Sequence, residues 1–142
     1  MIKTLFTPTQ IKMITPDGNI RRYINSDIVD IFEVGDSADI SFPNGYNKAN
    51  RVFKGYSPTI TGTTVRHLII KVRDSVGKVR IRKYTPTEAF KLMGFTVEDC
   101  QKCLDGGISK SQIYKQAGNS IGVSVLEAIF TSLGQRYEEF RV

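Results

Sequence analysis

Residues 80–95 read RIRKYTPTEAFKLMGF, and two periodicities meet inside them. Up to Arg82 the chain alternates, with Val79 and Ile81 set against Lys78, Arg80 and Arg82, the two-residue period of a strand. After Thr85 the apolar residues Ala89, Phe90 and Met93 fall at helical spacing. Thr85 is placed as an N-cap, Pro86 suits the first helical position, and Glu88 completes a capping box. Gly94 is the natural stop. The junction predicts an α+β chain: a small twisted antiparallel sheet over residues 1–84, followed by a short helical C-terminal segment over 85–142.

Upstream, turn signals separate short extended stretches. QIKMI and NIRRYI flank Thr15-Pro16-Asp17-Gly18, and both are predicted strands. ADISF leads to a second turn at Pro43-Asn44-Gly45. RVFKG is followed by Ser57-Pro58-Thr59-Ile60-Thr61-Gly62, held extended because Pro58 pushes Ser57 away from helix. A hairpin then runs from His67 to Arg82 around Asp74-Ser75-Val76-Gly77. Leu68, Ile70 and Val72 are expected inward with Val79 and Ile81, leaving the cations on one outer face.

Downstream, Thr96 with Asp99 and Ser109 with Gln112 each mark a helix start. A last helix is predicted from Val123 to about Gly134. Its Leu126, Ile129, Phe130 and Leu133, widened by Val125 and Ala128, form an apolar girdle that wants cover on several sides.

The 142 residues carry a formal charge of +6. Residues 65–83 alone hold seven cations against Asp74, a local balance equal to that of the whole chain. A concentrated basic patch attracts polyanions, although a solvated strand face would read the same way. No apolar run approaches the ~20 residues needed to span a bilayer, and MIKTLFTPTQ lacks a signal peptide's long apolar stretch, so a cytoplasmic location is expected. Cys100 and Cys103 form a lone C-x-x-C with one histidine, His67, far away in sequence. That falls short of a zinc site, and two reduced thiols are the expectation. No catalytic constellation is visible, and His67 reads as a strand residue facing solvent or phosphate.

Two stretches together carry a resemblance. Arg82-Lys83-Tyr84-Thr85-Pro86-Thr87-Glu88 with Leu92-Met93-Gly94-Phe95 resembles the ninth sequence motif of DNA (cytosine-5) methyltransferases. Ser111-Gln112-Ile113-Tyr114-Lys115-Gln116-Ala117-Gly118-Asn119-Ser120, followed by Val123, Val125, Ala128 and Ile129, resembles the tenth. Arg51-Val52-Phe53 and Ser57-Pro58-Thr59-Ile60-Thr61 look like the end of the same family's target-recognition domain.

The resemblance implies a C-terminal part of such an enzyme, gripping double-stranded DNA while a target cytosine is flipped from the duplex. It implies that Thr59 and Thr61 contact the DNA backbone. The basic stretch adds Arg66, Arg80 and Arg82 as DNA-binding candidates, with an internal carboxylate as the alternative partner of Arg80 and Arg82. The resemblance also implies that Asn119 and Ser120 line an S-adenosylmethionine pocket shared with a separate catalytic chain. Their plainer reading is a cap on the helix that follows.

The family's nucleophile is a cysteine directly after a proline, whereas Asp99 and Lys102 precede the cysteines here. Its phenylalanine-and-glycine cofactor motif and catalytic glutamate motif are absent from these residues, so none of them is expected to be catalytic. The expectation is a C-terminal fragment or small subunit that completes a catalytic N-terminal methyltransferase chain. The alternative is a stand-alone, non-catalytic DNA-binding module or regulator.

Overall fold

The computed structural model describes residues 6–44, 50–62 and 67–137. The chain divides into two compact units, Met1–Tyr84 and Thr85–Val142, each considered by itself. The α+β class is as the sequence indicates.

The first unit opens with helix α1 (Pro8–Met13) and then runs through β1 (Ile20–Arg21), β2 (Val29–Asp30), β3 (Ser37–Asp39), β4 (Arg51–Phe53), β5 (Leu68–Arg73) and β6 (Val79–Lys83). β1 and β2 form a two-stranded ribbon, and the other four strands make an antiparallel sheet in the order β4-β3-β5-β6. Phe6, Met13, Ile20, Phe32, Ala38, Ile40, Ile69 and Ile81 form the core. The Thr15–Gly18 turn closes through Gly18 N–H to the Thr15 carbonyl at 2.9 Å, with Gly18 at φ 75°, a conformation that favours glycine.

Two expectations are corrected here. QIKMI is not a strand: its residues 10–13 belong to α1. The Thr7 hydroxyl accepts from Gln10 N–H at 3.2 Å, and Gln10 Oε1 accepts from Thr7 N–H at 3.1 Å. With Pro8 in the first turn, Thr7-Pro8-Thr9-Gln10 is the same helix-starting device as Thr85-Pro86-Thr87-Glu88. Ile14 leaves the helix and bridges Ile20.

The second correction concerns the hairpin. Its predicted four-residue turn would set Arg73 opposite Lys78. The connection instead spans residues 74–78, and Arg73 pairs with Val79. One extra residue changes the parity of every pair, so side chains that were to lie on opposite faces now share one. Lys71 is therefore opposite Ile81 and Lys83 opposite Ile69, while Ile70 faces Arg82 and Val72 faces Arg80. Both faces carry apolar residues and cations. On the core side the lysine stems cover apolar surface and extend their amines. The Lys71 amine donates to the Gly18 carbonyl at 3.0 Å and lies 5.7 Å from the Phe32 ring centroid; that of Lys83 lies 5.6 Å from Phe6. Burial depresses the Lys83 pKa.

The second unit holds α2 (Pro86–Leu92), α3 (Val97–Asp105), α4 (Lys110–Asn119) and α5 (Val123–Arg136). Thr85 and Thr96 head capping boxes with Glu88 and Asp99, and Ser109 caps α4 by accepting from Gln112 N–H. Hydrogen bonds from Thr96, backbone first, hold the Asp99 carboxyl below its ordinary pKa. α2, α3 and α4 pack on one another. They bury Ala89, Phe90, Cys100, Ile113 and Ala117. α5 buries none of its residues.

Candidate functional site

Within the first unit, the candidate DNA contacts lie on an irregular segment and on one strand. Thr59 and Thr61 are exposed on the chain between β4 and β5, flanking the buried Ile60. Arg66 lies outside the described residues. Arg80 and Arg82 sit two apart on β6 and share a face. Both are partly committed. Arg80 Nε lies 2.8 Å from Asp74 Oδ2, and Arg82 Nη1 donates to the Lys83 carbonyl at 3.1 Å. Asp74 also accepts from Val76 and Lys78 N–H, so one carboxylate both shapes the turn and takes up part of the Arg80 charge.

His67 has a specific partner: Gln10 Nε2 and His67 Nδ1 are 3.1 Å apart. His67 lies just before β5 rather than within it, remains partly exposed, and ties the start of that strand to α1.

The first unit also contains a groove that sequence spacing did not reveal. It occupies about 710 Å³, and its lining includes Arg22, Asp30 and Ile31 from the β1–β2 region and Arg51, Phe53, Lys54 and Tyr56 from β4 and the turn beyond. Its walls come from segments about twenty residues apart, so no local pattern marks it. Behind it, the buried Asp36 carboxylate accepts from the Lys54 amine at 2.8 Å, Glu33 N–H at 2.8 Å and Gly55 N–H at 3.2 Å. Burial works to raise the Asp36 pKa, but these donors outweigh it and the carboxyl lies below its ordinary value. The Lys54 amine also donates to the Glu33 carboxylate at 2.9 Å, and its bonds to Asp36 and Glu33 raise the Lys54 pKa.

In the second unit, Asn119 ends α4 and Ser120 is its C-cap. The Ser120 hydroxyl donates to the Ala117 carbonyl at 2.8 Å, which leaves its oxygen able to accept. Asn119 is exposed at that corner. Neither caps the following helix: the N-cap of α5 is Gly122, without a side-chain hydrogen bond. The pair thus presents one exposed carboxamide and one acceptor oxygen, groups that fit the wall of a polar small-molecule site. On α5, Val125, Ile129 and Phe130 are 53%, 48% and 54% exposed, and a shallow apolar depression follows Val125, Ala128, Ile129 and Leu133. Cys100 is buried, with Thr87 Oγ1 3.6 Å from its sulfur, and Cys103 is a second free thiol.

Residues 4–135 match the family model described as C-5 cytosine-specific DNA methylase. The chain belongs to this family. Similar curated proteins include an orphan methyltransferase of Bacillus phage rho11s, 58% identical over 60 residues, which covers 42% of this chain and 12% of that protein. An orphan methyltransferase of Spiroplasma monobiae is 34% identical over 95 residues, 63% of this chain and 24% of that protein. A type II methyltransferase of Lactococcus lactis subsp. cremoris is 44% identical over 66 residues, 44% of this chain and 17% of that protein. The aligned part of this chain thus spans no more than about a quarter of these relatives. No solved structure gives a significant match. Among the described residues, no helix is long and apolar enough to cross a membrane.

Proposed function

We propose that this chain is the C-terminal part of a DNA (cytosine-5) methyltransferase: residues 1–84 serve as its DNA target-recognition region and 85–142 carry its ninth and tenth motifs. The catalytic half, with nucleophile, acid and most of the S-adenosylmethionine pocket, is supplied by a further polypeptide segment, joined to this one or separate. The observation that carries the reading is the conjunction of family membership with α5, an apolar 14-residue helix that buries none of its own side chains. A helix of that composition needs a covering surface. The catalytic half of the same enzyme would supply it.

In this reading Thr59, Thr61, Arg66, Arg80 and Arg82 hold the DNA backbone, and Asn119 and Ser120 close one wall of the methyl-donor pocket. S-adenosylmethionine supplies the methyl group when bound. The residues here contribute grip, orientation and exclusion of water, leaving bond-making to the other half.

The test is reconstitution. The chain is mixed with, or fused to, the catalytic portion of a family member, and transfer of labelled methyl from S-adenosylmethionine to duplex DNA is measured. Transfer should require both parts and should fall when Val125 and Phe130 are changed to Asp. A verified complex without transfer counts against the reading. Specific DNA binding by the chain in the absence of any such complex would favour the stand-alone regulator.

A further inference from the structure

We propose that the groove between the β1–β2 ribbon and β4 is the face on which the first unit seats duplex DNA. The inference rests on reading that unit as a target-recognition region, and it names the contact surface.

The groove's chemistry suits a polyanion that also offers flat apolar edges. Arg22, Arg51 and Lys54 line it with the Asp30 carboxylate; Lys54 is already held by Asp36 and Glu33, so the cations left for a phosphate are Arg51 and, by exchange, Arg22. Arg51 is exposed and pairs with no carboxylate among the described residues. Arg22 meets Asp30 at 3.3 Å with both side chains partly open to solvent, a pair weak enough to exchange for a phosphate. Beside these cations stand two large exposed side chains, Ile31 at 65% and Tyr56 at 63%. A nucleic acid satisfies both halves, with phosphates toward the cations and sugar or base edges against the apolar wall.

The wall is held in place before any ligand arrives. The Tyr56 ring meets Phe53 edge-on, with centroids 5.6 Å apart. The turn before it is pinned by Gly55 N–H to Asp36 and by Gly55 at φ 72°. An aromatic side chain held in this way loses little freedom on contact. The surface also continues toward the other candidate contacts. Tyr56 lies three residues before Thr59, a span of at most about 10 Å.

The experiment uses the full chain and a duplex that it enriches from a random-sequence library. Binding is followed by fluorescence anisotropy over a salt series for wild type, Arg51→Ala, Tyr56→Ser and the double variant, with Lys102→Ala on α3 as the control. Each altered side chain is exposed, and circular dichroism confirms folding. The double variant should lose at least about tenfold in affinity, Arg51→Ala should flatten the salt dependence by about one counterion, and the control should match wild type. If the chain binds its duplex and the groove variants bind it equally well, this inference fails while the proposed function stands. If the wild-type chain selects no duplex, alone or with a catalytic half, both fail. Preference for an acidic peptide over DNA also overturns the groove assignment.

Discussion

The Asp36 carboxylate, 5% exposed, accepts the Lys54 amine at 2.8 Å and so ties the turn before β3 to the turn after β4. Because the Asp36 pKa is lowered, the folded state prefers the ionised form more than the unfolded chain does. The resulting stability is present above the ordinary carboxylate value of 3.8 and is lost as pH falls through the lower folded value. Asp36→Asn should cost about 1–3 kcal/mol at neutral pH, since three donors lose a charged acceptor that is itself buried. It should also flatten the acid limb of the stability curve. Urea melts of both proteins across that range test both parts.

Thr7 and Thr85 perform the same task in different units. Each accepts the N–H of the residue three positions on, at 3.2 Å. Thr7→Ala and Thr85→Ala should each lower stability by about 1 kcal/mol, and Ser at either position should restore most of it. A null effect of Thr7→Ala in thermal melts would count against α1 as a capped helix.

Gly94 combines two constraints. It sits at φ 87°, and an added Cβ would lie 3.1 Å from Val123 Cβ, next to the bond from Val123 N–H to the Met93 carbonyl at 2.9 Å. Gly94→Ala should therefore cost about 1–3 kcal/mol. The measurement is the unfolding midpoint, with hydrogen exchange at Val123 reporting the local loosening.

Asn119 is exposed at the end of α4 and caps nothing that follows. Asn119→Ala should leave the melting temperature nearly unchanged. In the reconstituted enzyme it should weaken S-adenosylmethionine binding by about tenfold, the worth of one good hydrogen bond in a pocket. Calorimetric titration separates this from an effect on DNA affinity.

Tyr84 reports on the sheet. Its hydroxyl meets that of Ser37, whose residue is 1% exposed, across the first unit. Tyr84→Phe should cost about 1–3 kcal/mol by leaving a buried hydroxyl short of a partner. Ser37→Ala in the Tyr84→Phe background should recover part of it.

The class of fold and the four C-terminal helices were legible because their signals are local. Thr85, Thr96 and Ser109 each cap the helix their spacing predicts, and a cap depends only on the next turn of chain. The same logic was available at Thr7, where reading Gln10 to Ile14 as a strand beside the Thr15–Gly18 turn passed over the capping box. The sequence by itself also carried the two motifs that point to the family, since they are runs of contiguous residues.

Other features required the tertiary structure. One residue in the 74–78 connection decided which cations share a face with Ile70 and Val72, because strand parity is a property of two chains held in register. Gln10 found His67 across 57 positions, and the groove of Arg22, Arg51 and Tyr56 exists only where separate strands converge. Such contacts are set by the packing of a shared core, and no window of neighbouring residues contains that information.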